Sequence, residues 1–138
     1  MVRIGVDSGA EISVWPSDLF AERPLEPNES SAAGVKYWAP GDIDSPSIPD
    51  LGSRKFELRV DGEQRWLKPH IAPVRKPLLA VCDLNDRGHD VHFMHDGRAW
   101  AVHHRTGQVT NFERAGTRYE IVAEVMQPSV PQGPGSSL

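Results

Sequence analysis

The sequence predicts an all-β domain, and three observations carry that prediction. Short apolar runs with period-two alternation recur along the chain, as in Val2-Arg3-Ile4-Gly5-Val6 and Lys55-Phe56-Glu57-Leu58-Arg59-Val60. Twelve Gly and twelve Pro among 138 residues interrupt the chain at short intervals, which suits many short strands and turns better than long helices. Between two of the runs stands Asp61-Gly62, a strong hairpin turn. The length allows one domain, large enough to bury a β core without a disulfide or a structural metal.

The first strand, Val2 to Val6, runs into the tight turn Asp7-Ser8-Gly9-Ala10, and a second apolar run, Ile12-Ser13-Val14-Trp15, ends at Pro16. Ser17 to Phe20 reads as one helical turn capped by Ser17, and residues 22–33, rich in Pro, Asn and Ser, as a surface loop. Val35 to Ala39 reads as a strand. Pro40 and Gly41 suit the two central positions of a type II turn, and the return limb from Ile43 carries Pro46 and Pro49. Those prolines exclude the middle of a sheet, so an exposed hairpin projecting from the body is expected.

Lys55 to Val60 and Gln64 to Ile71 form the two limbs of the Asp61-Gly62 hairpin. Pro77-Leu78-Leu79-Ala80-Val81-Cys82-Asp83-Leu84 is the most apolar run, and its second half, Ala80 to Asp86, reads as a short helix ended by Gly88. Val91 to Met94 and Trp100 to His103 flank the turn His95-Asp96-Gly97. A further hairpin turns at Arg105-Thr106-Gly107, and Arg118 to Val125 is the last strand. The folded domain is expected over 1–126. Residues 127–138, rich in Pro, Gly and Ser, read as a disordered tail.

A net charge of −4 and a pI near 5.8 argue against a nucleic-acid surface, although basic residues gather around Arg65 to Lys76. Cys82 is the only cysteine, so no intramolecular disulfide forms. No apolar stretch reaches bilayer-spanning length and no signal-peptide pattern opens the chain. The chain reads as soluble and intracellular, or as a piece released from a longer polyprotein, with no membrane partner.

One arrangement suggests a reaction. Asp7-Ser8-Gly9 sits between two apolar strands, so its carboxylate is held by the sheet, the Ser8 hydroxyl can reach a partner loop, and Gly9 permits close backbone approach. Two carboxylates held about 3 Å apart share one proton: the ionised member draws a proton from water and the protonated one hydrogen-bonds the substrate carbonyl. Only one Asp-(Ser/Thr)-Gly is present, so the second Asp7 has to come from a second copy across a two-fold axis.

Val6-Asp7-Ser8-Gly9-Ala10-Glu11-Ile12-Ser13-Val14 resembles the active-site strand and loop of retropepsin-like aspartic proteases. Lys76 to Leu84, followed by Gly88 to Phe93, resembles the downstream segment of copia-type retrotransposon proteases, and Tyr37-Trp38-Ala39-Pro40-Gly41-Asp42 falls where that family has its flap. The resemblance runs from about Val2 to Val125. It implies a closed retropepsin-type barrel, half of a two-fold dimer, with catalytic Asp7 at the axis. It further implies an interlocking active-site loop of Ser8, Gly9 and Ala10, and a flap over the substrate from Tyr37 to Asp42. The apolar segment Leu78, Leu79 and Ala80 lies under the loop, with Ala80 where the family usually has Gly. Five residues precede Val6, so the N-terminal dimerisation strand of retroviral relatives is expected to be short or missing.

The implied activity is hydrolysis of a polypeptide by a homodimeric aspartic endopeptidase, without cofactor or metal. The competing reading is a catalytically inactive retropepsin-like binding or dimerisation module derived from a mobile element. His89, His92, His95, His103 and His104 read as a surface cluster and not as zinc ligands, because alternation sends His92 to solvent and sets His103 against His104. The four tryptophans read as core or rim aromatics, with Trp38 able to touch substrate. Cys82 reads as a small buried apolar residue, and Arg54-Lys55 with Arg65 to Lys68 as a solvated sheet face.

Overall fold

The computed structural model describes residues 1–127 and 136–138. In chain order the elements are β1 (Val2–Asp7), β2 (Val14–Pro16), α1 (Glu29–Ala32), β3 (Lys36–Tyr37), β4 (Ile48–Pro49), β5 (Gly52–Ser53), β6 (Phe56–Val60) and β7 (Glu63–Leu67). There follow β8 (His70–Ala72), β9 (Leu78–Ala80), α2 (Val81–Asp86), β10 (His89–Phe93), β11 (Ala99–His103), β12 (Val109–Ala115), β13 (Arg118–Val125) and β14 (Ser136–Ser137). The fold is mostly β, as the alternation and the turns predict.

Twelve strands form one sheet, in the order β10-β11-β12-β13-β1-β9-β2-β8-β5, with β6, β7 and β14 branching from β13. β13 holds this together by changing partner along its length: it pairs with β12 at its start, with β1 through its middle and with β6 at Glu124 and Val125. Alternation explains which face is buried. Ile4 is fully buried and faces the equally buried Ile121, while Arg3 points outward to Glu113 and Glu120 at 3.2 and 3.3 Å. Trp15 stacks on Phe56 with ring centroids 4.4 Å apart, joining β2 to β6. Burying each large core side chain such as Ile4 or Leu79 contributes roughly 1.5–3 kcal/mol.

The implied closed barrel is corrected: the sheet is open, with β10 and β5 as the ends of its path. At β5 the reason is visible. Glu26 and Ser53 exchange backbone hydrogen bonds of 2.8 and 2.7 Å, so a loop, not another strand, satisfies that edge. The edge of β1 opposite β9 is occupied by β13, from the far end of the chain.

Other elements also depart from expectation. Residues 17–20 form a turn and not a helical one, with Phe20 at φ 53. The loop at 22–33 contains α1, capped at Asn28 by a reciprocal pair: its side chain accepts from the Ser31 N–H, and the Ser31 hydroxyl accepts from the Asn28 N–H. The single strand expected over 64–71 is split into β7 and β8 at Lys68-Pro69. Residues 128–135 of the expected tail lie outside the described residues. At its end, β14 pairs in parallel with Arg65 and Trp66, and Leu138 is fully buried in the core, so residues 136–138 are part of the fold and not of a disordered tail.

The basic sheet face is corrected as well. Arg54 and Arg65 are buried, because each finds main-chain acceptors: Arg54 donates to Ser17 O at 2.9 Å, and Arg65 to Gln64 O at 3.1 Å and to the Glu63 carboxylate. Among the described residues no helix is long and apolar enough to cross a membrane.

Candidate functional site

Asp7 ends β1 and is exposed. The residues that hold it follow from an unusual order of strands. β1 and β2 are consecutive, yet they do not pair; β9 lies between them, parallel to β1 and antiparallel to β2. The loop of residues 8–13 therefore has to cross the end of β9, where α2 begins. Register places Val6 beside Leu79 and Asp7 beside Ala80, both partners fully buried. The apolar segment Leu78, Leu79 and Ala80 thus flanks the Asp7 strand as its hydrogen-bonded neighbour.

The loop is pinned at both ends. Gly9 N–H donates to Asp7 Oδ1 at 2.7 Å, tying the carboxylate to its own turn. Buried Ser13 works in two directions: its Oγ accepts the Ala80 N–H at 2.9 Å, and its N–H donates to Asp83 Oδ2 at 2.8 Å. Ser13 O also accepts from the His70 N–H at 3.0 Å. Sequence reasoning passed over Ser13, because a lone hydroxyl in an apolar run announces no partner. Cys82, expected to be buried, is exposed instead, and its thiol donates toward the carbonyls of Ala10 and Glu11 at 3.4 and 3.2 Å. It sits on the first turn of α2 beneath the loop, where the helix turns it away from the core.

Gly9 answers one expectation differently. A Cβ there meets nothing nearer than Asp7 Oδ1, at 3.4 Å, so within one subunit no close backbone approach demands glycine. Beside the carboxylate a cavity of about 450 Å³ opens, lined by Asp7 and Ser8 together with Leu78, Phe93, Tyr119 and charged residues of β1 and β13. Ala10 and the hairpin residues 37–42 do not line it.

That hairpin is present, separate from the main sheet. Lys36 pairs with Pro49 and Tyr37 with Ile48. Gly41 has φ 93 and Asp42 N–H donates to Ala39 O at 3.0 Å, the geometry of the expected type II turn with Pro40 at its first central position. Asp42 closes the tip by accepting from Ala39 N–H, and that bond first, then those from Ser47, hold its carboxyl below the ordinary value. Trp38 is 60% exposed beside it.

The base of the hairpin holds a polar cluster that sequence reasoning missed. The Asp50 side chain is fully buried and accepts from Tyr37 Oη at 2.6 Å, His70 Nδ1 at 2.6 Å, Gly52 N at 2.9 Å and Asn28 Nδ2 at 3.3 Å. Asn28 Nδ2 also donates to Ser53 Oγ at 2.8 Å. Burial alone would raise the Asp50 carboxyl; the donors from Tyr37, Gly52 and His70 outweigh it and hold it below the usual range. Burial and the Asp50 carboxylate push the Tyr37 phenol well above its usual value. The one local signal was the capping pattern Asn28-x-x-Ser31, which marks Asn28 as structured.

The histidines divide. His92 is exposed and stacks on Trp100 at 5.0 Å, as alternation predicts. His89 is buried, not at the surface; desolvation lowers its pKa, and its Nδ1 lies 3.2 Å from Leu84 O. His103 and His104 stack on each other at 5.5 Å, because β11 ends at His103 and alternation ends with it. Among the described residues no group of three or more His, Cys, Asp or Glu is placed to hold a metal ion. No family model, no curated protein and no solved structure matches this chain, so the reading of the site rests on its own geometry and on the residues quoted above.

Proposed function

We propose that the chain is one subunit of a retropepsin-type aspartic endopeptidase, in which two Asp7 carboxylates meet across a two-fold axis and activate water against a peptide bond. The observation that carries this reading is the crossing loop: Asp7 stands exposed at the end of β1, on a connection that passes over β9 between two strands it separates. A carboxylate so placed is rigid at its base, through the β1–β9 pairing and the Ser13 anchor, and open at its tip to a second subunit. The finer fold, a retropepsin subunit completed in a dimer, belongs to the same proposal.

In that dimer one Asp7 is ionised and takes a proton from water, while its protonated mate hydrogen-bonds the carbonyl oxygen of the scissile bond. The hydroxide equivalent adds to the carbonyl carbon, and the proton passes to the leaving nitrogen as the C–N bond breaks. Water is the nucleophile, so the reaction asks for no cofactor. The hairpin from Tyr37 to Asp42, with exposed Trp38 near its tip, serves as the flap over the polypeptide.

Asp7→Asn decides the matter, because it removes the ionisable group and keeps the shape. The parent is expected to cleave a peptide library with an optimum on the acid side of neutrality, and the variant to lose at least about a thousandfold in rate. Equal cleavage by both proteins overturns the proposal. A parent that dimerises in sedimentation yet cleaves nothing points to the binding-module reading, which Ala80 in the place of the family's Gly favours.

A further inference from the structure

The cavity beside Asp7 carries an electrostatic bias opposite to that of the whole protein. The chain has a net charge of −4. The cavity lining holds Arg3, Lys76 and Arg118 against only Asp7 and Glu120, so it is locally positive. Arg3 is already engaged, by Glu120 on the same wall and by Glu113. Lys76 and Arg118 make no ion pair among the described residues, and both are exposed. The same lining carries large apolar side chains: Leu78 comes from β9, Phe93 from the end of β10 and Tyr119 from β13. The Phe93 and Tyr119 rings lie 5.0 Å apart and tilted, forming an aromatic corner.

Two exposed cations without ion-pair partners, in one cavity lining with an aromatic pair, ask for a particular kind of ligand. An apolar or aromatic side chain fills the recess, and a carboxylate next to it reaches Lys76 or Arg118. On the reading of Asp7 given above, we infer that the preferred substrate is a polypeptide with a large apolar residue and an adjacent Asp or Glu beside the scissile bond. Lys76 and Arg118 are the specificity-determining residues in this inference. The local charge also has a kinetic role: it offers an acidic segment an attractive entry on a surface that otherwise repels it.

The test separates binding from turnover. Three fluorescein-labelled octapeptides, identical but for Glu, Gln or Lys after a central Phe, are titrated by fluorescence polarisation against full-length Asp7→Asn protein. The Glu peptide is expected to bind about five- to tenfold more tightly than the Gln peptide at low ionic strength, with Lys weakest and the spread shrinking as salt is added. In Asp7→Asn carrying Lys76→Glu and Arg118→Glu the order is expected to reverse. Both substitutions are at exposed positions, and the circular dichroism spectrum checks that the fold is kept. Equal binding of the three peptides, or an order unchanged by the charge reversal, overturns the inference. Cleavage of the same peptides by the protein with Asp7 intact is read separately. If none is cut while the binding order holds, hydrolysis falls and the acidic-peptide site stands.

Discussion

Two aspartates lie at opposite extremes of solvation. Asp7 is exposed and accepts a hydrogen bond from the Gly9 N–H; Asp50 is fully buried and accepts from Tyr37, His70, Gly52 and Asn28. A carboxylate whose lone pairs are all engaged is a structural group: it cannot take a proton from water without breaking what holds it. A carboxylate left open at the end of a rigid strand has the reverse character, contributing little to stability and remaining free for chemistry. The two regions are linked through main chain, since the His70 ring serves Asp50 while the His70 N–H bonds Ser13 O at the foot of the Asp7 loop.

The largest expected effect follows from removing the buried member. Asp50→Ala leaves the Tyr37 hydroxyl, the Gly52 N–H and the His70 imidazole without their shared acceptor. The cost is about 3 kcal/mol. Asp7→Asn, by contrast, is expected to change stability by less than about 0.5 kcal/mol. Urea unfolding of both variants checks the pair, and similar losses break the distinction. pH sharpens it. The Asp50 carboxyl is held low in the folded state, so its stabilisation is fully present above the unfolded carboxylate pKa of about 3.9 and disappears as pH falls through the lower folded value. The parent is therefore expected to lose stability steeply below about pH 4, and Asp50→Ala to lose it more gently.

Asp7 was legible in the chain and Asp50 was not, for a physical reason. The Asp7 site is written in consecutive residues: an alternating strand, a tight turn and a second apolar run, with the partner strand signalled by its own apolar block at Leu78-Leu79. Asp50 draws its partners from Asn28, Tyr37, Gly52 and His70, on separate elements, and no periodicity connects them. Gly52 shows how specific that assembly is. Its φ is +123, and a Cβ there would lie 2.3 Å from Glu26 O, yet in the sequence it is one glycine among twelve. The same limit hid the burial of Arg54 and Arg65, because main-chain acceptors leave no trace in residue type. Leu138 gave no sign either, being a single apolar residue after a polar stretch.

Ser13 stands between the two regions, and its effect is expected to be intermediate. Ser13→Ala leaves the Ala80 N–H buried without its acceptor, at a cost of about 1 kcal/mol. If the proposed hydrolysis occurs and the hydroxyl also steadies the crossing loop, kcat falls further than this loss of stability accounts for, with KM little changed, because on that proposal the loop positions the reacting carboxylate and not the bound peptide. A variant that loses stability with kcat intact restricts Ser13 to packing.

The smallest effect on the isolated subunit is expected at Gly9, and there a null result is informative. Gly9 has no left-handed φ, and an added Cβ would make ordinary contact with Asp7 Oδ1 at 3.4 Å, so Gly9→Ala is expected to leave the subunit's stability unchanged or raise it by up to about 1 kcal/mol through the unfolded chain. Between subunits the situation differs. In the proposed dimer, two loops that interlock at an axis bring backbone against backbone, and a methyl group there separates them. The dimer dissociation constant measured by sedimentation is then expected to rise by about tenfold or more, with hydrolysis falling in step. Unchanged dimerisation in Gly9→Ala would mean that the Asp7 loops do not meet, and a carboxylate that never meets its twin has no proton to share.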